Sequence, residues 1–209
     1  MCNMSVGWDA SHGEFVIEDY YYFSKLKRIA ENVGIEINQV SNFNKLEEHD
    51  VIVFNYPEKR FRTWEIKKID EWLRSGKKII FTTYYRNIDL TTENVNKVLT
   101  KLRIPVRVNN DVVVDPENNA GDEMFPIAKY KECRVVMPCA SSITAKDNIK
   151  LIVASDKAIS NPTGLKNPVL GVKVKRGGEL VVLGTCVFWD NYCIDLEDNK
   201  ILSLNLLQY

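Results

Sequence analysis

Along the first hundred residues, apolar positions switch between two spacings. Ser5 to Asp9, Val51-Ile52-Val53-Phe54 and Ile79-Ile80-Phe81 are short apolar runs closed by polar residues, and they predict buried strands. The continuous run at 51–54 suits a central parallel strand covered on both faces. Ile35-Glu36-Ile37-Asn38 alternates apolar and polar, as an outer strand does. Between these runs, Phe23, Leu26, Ala30 and Val33 recur at spacings of three and four, with Gly34 as a stop. Ile66, Ile69 and Leu73 give a second helix, with Thr63 as its cap and Ser75-Gly76 as its end. Val95, Val98, Leu99 and Leu102 give a third, which Pro105 bars from continuing. The order β-α-β-β-α-β-α predicts a doubly wound, mainly parallel α/β sheet.

From Val106 onward the texture changes. Short β-rich runs occur at Val112-Val113-Val114, Arg134 to Met137, Lys150 to Val153 and Val169 to Val174, separated by Pro, Asn and Gly. They predict antiparallel strands and hairpins added to the first half, with the turn Arg176-Gly177-Gly178 leading into a further strand, Leu180 to Leu183. A last helix carries Ile201, Leu204 and Leu207. There are no repeats and no linker-like segment, so a single domain over residues 1–209 is expected.

Composition narrows the function classes. The 209 residues hold 28 basic and 28 acidic side chains, so no general attraction to nucleic acid or anionic membrane is expected. No stretch approaches the roughly twenty apolar residues of a membrane span, and Met1-Cys2-Asn3-Met4 lacks the character of a signal peptide. Cys2, Cys133, Cys139, Cys186 and Cys193 form no Cys-x-x-Cys pair, which points to reduced thiols and a cytoplasmic setting. His12 and His49 are the only histidines, too few for a His-rich metal centre.

Two stretches follow strands closely enough to sit where ligands gather in such a sheet, outside the carboxyl ends of its strands. One is Asp9-Ala10-Ser11-His12-Gly13-Glu14-Phe15. The other is Gly184 to Tyr192, which includes Trp189, Asp190 and Asn191. Both are expected to face one pocket, joined by Asn55 and Tyr84 from the strand ends between them. The aromatic run Tyr20 to Phe23, with Trp64 and Trp72, is expected mainly to cover helix and sheet faces, and Lys59, Arg60 and Arg62 to form a solvated basic face.

Four stretches also resemble the GIFT domain of an intraflagellar-transport subunit and a gliding-motility protein. They are Asp9 to Glu14; His49 to Pro57 continuing through Thr63-Trp64-Glu65-Ile66 to Gly76; Asn96 to Ile104 with Asp111 to Asn119 behind it; and Gly178 to Gly184 leading to Phe188-Trp189-Asp190-Asn191. The resemblance implies a branch of the class I glutamine-amidotransferase-like, flavodoxin-like fold, and a part in a larger assembly. An amidotransferase needs a cysteine on a tight strand-to-helix turn and a His-x-Glu pair after a late strand. This chain has Thr82-Thr83-Tyr84-Tyr85-Arg86 at the first place and no histidine between Thr185 and Asn191.

The expectation is therefore a non-catalytic binding or scaffold domain that recognises a protein partner or small polar ligand at the carboxyl edge. Its site residues would be Asp9, Ser11, His12, Glu14, Asn55, Tyr84, Trp189, Asp190 and Asn191, with no catalytic residue, metal or cofactor. Cys186 reads as a small hydrophobe. Two alternatives stay open. One is a hydrolase using His12 and nearby carboxylates, with a divalent ion held by Asp9, His12, Glu14 and Asp190, although both aspartates are better explained as acceptors of loop N–H groups. The other is a carbohydrate-binding module using Trp189.

Overall fold

The structure is a computed structural model that describes residues 4–13 and 15–209. The first half runs β1 (Met4–Asp9), α1 (Tyr20–Asn32), β2 (Ile35–Val40), β3 (Val51–Phe54), α2 (Thr63–Arg74), β4 (Lys78–Thr82) and α3 (Thr91–Lys101). The second half runs β5 (Arg107–Val108), β6 (Val112–Val114), β7 (Ile127–Tyr130), β8 (Cys133–Val136), β9 (Ile143–Thr144), β10 (Lys150–Ala154), β11 (Ile159–Asn161), β12 (Val169–Arg176), β13 (Gly178–Leu183) and α4 (Asn199–Leu207).

Nine strands form one mixed sheet in the order β2-β1-β3-β4-β13-β12-β10-β7-β8. The five strands from β2 to β13 are parallel to one another. Beyond β13 every pairing is antiparallel. The Arg176-Gly177-Gly178 turn makes the β12–β13 hairpin, so β13 is the strand at which the parallel and antiparallel parts meet. Gly177 is needed there. It has φ +78°, and a Cβ on it would lie 2.9 Å from the carbonyl oxygens of Leu73 and Arg74. The remaining strands pair outside the sheet, β6 with β11 and β5 with β9.

Successive side chains of a strand point to opposite faces, and this splits the core in two. Val6, Trp8, Val51, Val53, Ile80, Val181 and Leu183 meet Phe23, Leu26 and Ala30 of α1 and Leu202 and Leu206 of α4. Ile52, Phe54, Ile79, Phe81, Leu180 and Val182 meet Ile66, Ile69 and Leu73 of α2 and Val95, Val98 and Leu99 of α3. Helices thus cover both faces of the parallel strands, which is why their sequences are apolar without alternation.

Three local expectations are corrected. Helix α1 ends at Asn32, leaving Val33 at the cap and exposed rather than in the buried stripe. The cap of α2 is Arg62 rather than Thr63, because the Glu65 carboxylate accepts the Arg62 backbone N–H at 2.7 Å. Helix α4 buries Leu202, Leu206 and Leu207, while Ile201 is exposed and Leu204 only partly buried. Its rotation is set by Asn199. That side chain accepts the Val136 N–H and donates to the carbonyls of Val136, Phe188 and Cys193.

Candidate functional site

Strand β1 connects through α1 to β2 on one side, while β3 connects through α2 to β4 on the other. The connections therefore diverge between β1 and β3, the kind of crevice where open α/β sheets bind ligands. Asn55, directly after β3, ties the loops there together. Its Oδ1 accepts from Thr82 Oγ1 at 2.9 Å and Trp189 Nε1 at 3.2 Å, and its Nδ2 donates to the Phe15 carbonyl at 3.2 Å. One amide side chain thus joins the segments that follow β1, β4 and β13.

Above this joint lies a cavity of about 190 Å³, lined by Phe15, Tyr22, Phe23, Asn55, Tyr56, Tyr84, Cys186, Val187 and Asp190. Four of its rings form a continuous arc of edge-to-face contacts. Tyr22 meets Phe15 at 5.3 Å, Phe15 meets Tyr56 at 4.8 Å, and Tyr56 meets Tyr84 at 5.8 Å, with interplanar angles of 74°, 89° and 68°. Such pairs hold rings in place beyond what area burial alone supplies. Tyr56 has φ +57°, a left-handed conformation that a bulky side chain adopts only when its surroundings impose it. Its N–H donates to Thr82 Oγ1 at 2.9 Å and its hydroxyl to Asp89 Oδ2 at 2.5 Å. Gly13 approaches the same residue so closely that a Cβ would lie 2.5 Å from the Tyr56 carbonyl oxygen.

The only acidic group among these lining residues is Asp190. Its Oδ1 accepts the N–H groups of Tyr192 and Cys193. Burial pushes its pKa up, against the lowering effect of those hydrogen bonds. Among the described residues no cationic side chain pairs with it. Burial also pushes the Cys186 thiol well up, so it stays protonated.

His12 occupies a different recess. That recess is open and is lined by Ser11, Ser41, Asn42 and Phe43 together with Lys59, Arg60, Arg62, Trp64 and Glu65. The imidazole is buried, with Nδ1 2.9 Å from Asp9 Oδ2 and Nε2 3.0 Å from Glu65 Oε2, and it stacks on Phe61 at 4.2 Å. Burial opposes its charge, but the hydrogen bonds and charges of Asp9 and Glu65 outweigh that and raise its pKa. Both ring nitrogens face carboxylates, an arrangement that favours the doubly donating imidazolium, and Ser11 Oγ also lies 2.9 Å from Nδ1. Asp9 Oδ1 takes the Ser11 N–H and hydroxyl.

The two stretches expected to share a pocket meet only in part, Phe15 of the first lining the cavity with Cys186, Val187 and Asp190 of the second. Asn55, Tyr84 and Asp190 line the cavity, whereas Asp9, Ser11 and His12 build the other recess, and Glu14 lies outside the described residues. Trp189 is fully buried beneath the cavity, 5.1 Å from the Trp8 ring, which removes it as a platform for a sugar. Asn191 fastens helix α1 instead. Its amide donates to the Tyr20 and Tyr21 carbonyls and Ser24 Oγ, and its Oδ1 accepts the Lys25 N–H. The ion site considered for Asp9, His12 and Asp190 is divided between the recesses, and no cluster of three metal-ligating side chains occurs among the described residues. The aromatic residues also divide. Trp72 is buried, but Tyr20, Tyr21 and Tyr192 are exposed; Tyr21 meets the Tyr22 ring at 5.0 Å, and the Tyr192 hydroxyl donates to that of Tyr21. Phe15, Tyr22, Phe23, Tyr56 and Val187 were not singled out as pocket residues by sequence reasoning. Phe15 and Val187 belong to the two stretches expected to face a pocket, and the signal for the other three was the aromatic run at 20–23 and the Asn55-Tyr56-Pro57 break.

No family model matches the chain. Among solved structures, it is similar to the mmIFT52 N-terminal domain, with a TM-score of 0.74, 17% identity and 98% of each chain covered. It is also similar to a putative ThuA-like protein from Parabacteroides merdae ATCC 43184, with a TM-score of 0.58, 12% identity and coverage of 98% and 88%. Alpha-L-fucosidase isoenzyme 2 from Paenibacillus thiaminolyticus gives a TM-score of 0.51 at 14% identity, over 98% of this chain and 31% of that one. At these identities the likeness is one of fold. A protein from Aquifex aeolicus (strain VF5), described as an uncharacterized protein, is 37% identical over 224 residues, covering 99% of this chain and 94% of its own. With that identity over nearly the full length of both, the chain belongs to the same family as the Aquifex aeolicus protein.

Proposed function

We propose that the chain, acting as one unit over residues 1–209, is a non-catalytic binding domain that recognises a small ligand or a partner's side chain in the cavity at the carboxyl edge of its parallel strands. The observation that carries this reading is the state of its reactive groups. His12, the histidine at that edge, has both ring nitrogens within hydrogen-bond distance of carboxylates, an arrangement that favours the charged ring over one with a lone pair free to take a proton. Cys186, the cavity's thiol, is held protonated by burial and has no base beside it. What remains is a preformed aromatic cavity, a composition suited to recognition. The fold would be a branch of the class I glutamine-amidotransferase-like group that has lost its catalytic parts. The strand order β2-β1-β3-β4 and the position of Thr83 where a nucleophile turn would stand support that assignment. The likeness to the IFT52 domain agrees with a scaffold role.

The test is to fill the cavity. Val187→Trp should leave the far-ultraviolet circular dichroism unchanged and abolish binding of small-molecule hits found by ligand-observed NMR. Hits indifferent to Val187→Trp, or turnover of ester, amide or glycoside substrates that disappears in Cys186→Ala, would sink the reading.

A further inference from the structure

Asp190 is a buried carboxylate that no cationic side chain pairs with among the described residues, and it lines a cavity bordered by five aromatic side chains. A buried charge is normally paired, because removing it from water is costly unless something compensates. Here the compensation inside the protein is limited to two backbone N–H groups and the Cys193 thiol. Lys25 and Lys200 both pair with Asp195 instead. The rings supply the second half of a cation site, since the negative faces of Tyr and Phe attract positive charge most strongly where water is excluded.

Size and polarity narrow the class further. At about 190 Å³ the cavity is smaller than the ~300 Å³ at the lower end of ordinary small-molecule sites, so it takes a headgroup rather than a large ligand. Two of its neutral polar side chains already have partners. The Asn55 amide holds three partners, and the Tyr56 hydroxyl donates to Asp89. A primary ammonium needs three acceptors and is strongly hydrated, whereas a quaternary ammonium has no N–H and needs none. We infer that the cavity is a binding site for a small quaternary ammonium group, with Asp190 as its counter-ion and Phe15, Tyr22, Tyr56 and Tyr84 as its walls.

This inference rests on the binding reading above and specifies its ligand, so the test separates the two. Choline and its uncharged isostere 3,3-dimethylbutan-1-ol are titrated into the whole protein by calorimetry at constant ionic strength. Choline should bind saturably and at least tenfold more tightly than the alcohol. Asp190→Asn should erase that preference, and Tyr84→Leu should weaken choline without creating a preference for the alcohol. Asp190→Asn keeps the acceptor oxygen for Tyr192 and Cys193, and thermal melting confirms that it is folded. Equal binding of the two probes, or binding of the alcohol alone, would overturn the cation assignment while the cavity reading stands. If neither probe binds but other ligands are displaced by Val187→Trp, the cation assignment again falls alone. Choline binding unchanged in both Asp190→Asn and Val187→Trp would place it elsewhere and end the inference.

Discussion

Asp190 and His12 are both buried titratable groups, and they make opposite predictions about pH. The Asp190 pKa is raised by burial above its ordinary value near 3.8. Its linked stabilisation is therefore complete below about 3.8 and is lost as pH rises through the folded-state value, so at neutral pH its charge costs stability. Asp190→Asn should melt higher than the parent at pH 7, and the gain should shrink or reverse near pH 3.5 in a series of thermal melts. The His12 pKa is also raised, despite burial, by Asp9 and Glu65. Stabilisation from its charge is full below about 6.5 and falls as pH rises through the folded-state value. His12→Gln removes one partner of a buried ion cluster, which costs about 3 kcal/mol, and the gap from the parent should be wider at pH 6 than at pH 9. A gap that widens toward pH 9 would contradict the imidazolium assignment.

At the scale of elements, two joints hold the second half of the chain together. One is Asn199, whose four hydrogen bonds seat α4 against Val136 and the loop after β13. Leaving those groups unpaired in the core should lower stability by about 3 kcal/mol in Asn199→Ala, read as a lower urea midpoint. Asn199→Asp should lose at least as much, because a carboxylate would then face three carbonyl oxygens. The other joint is Gly184, where a Cβ would fall 2.0 Å from the Ser141 carbonyl oxygen. Gly184→Ala should destabilise by about 3 kcal/mol through overpacking. Neither joint was legible in the sequence, because each depends on a partner distant along the chain. The parallel strands and their helices were legible, since continuous apolar runs and three-to-four spacings follow from local geometry alone. Strands β5, β7, β9 and β11 went unread because they are short and interrupted by Lys129, Ser160 and neighbouring Pro126 and Pro162, so no period has room to develop. In the candidate site, Asn55, Tyr84 and Asp190 could be read from their places after strands. Tyr56 and the Asp9–His12–Glu65 cluster could not, because one depends on a left-handed backbone and the other on Glu65 arriving from α2.

For the whole molecule, the position of β13 matters most. It pairs with β4 in parallel and with β12 in antiparallel register, and so sits inside the sheet. Native-state hydrogen exchange should find β3, β4 and β13 the most protected strands, with β2 and β8 at the two edges opening at lower free energy. If the edges proved as protected as the centre, the sheet would not open from its margins as this arrangement requires.

The same placement carries a consequence for how the protein is made. Thr83 bonds to Leu183, 100 residues further along the chain, and the cavity takes Tyr22 from one end and Asp190 from the other. A chain emerging from the ribosome completes β4 long before β13 exists, leaving Ile79, Ile80 and Phe81 on an open strand edge, the kind of edge that invites pairing with another chain. Contacts so distant in sequence form slowly. Nascent chains halted before Gly178 should therefore be captured by chaperones, and binding competence should appear only when synthesis has passed Asp190.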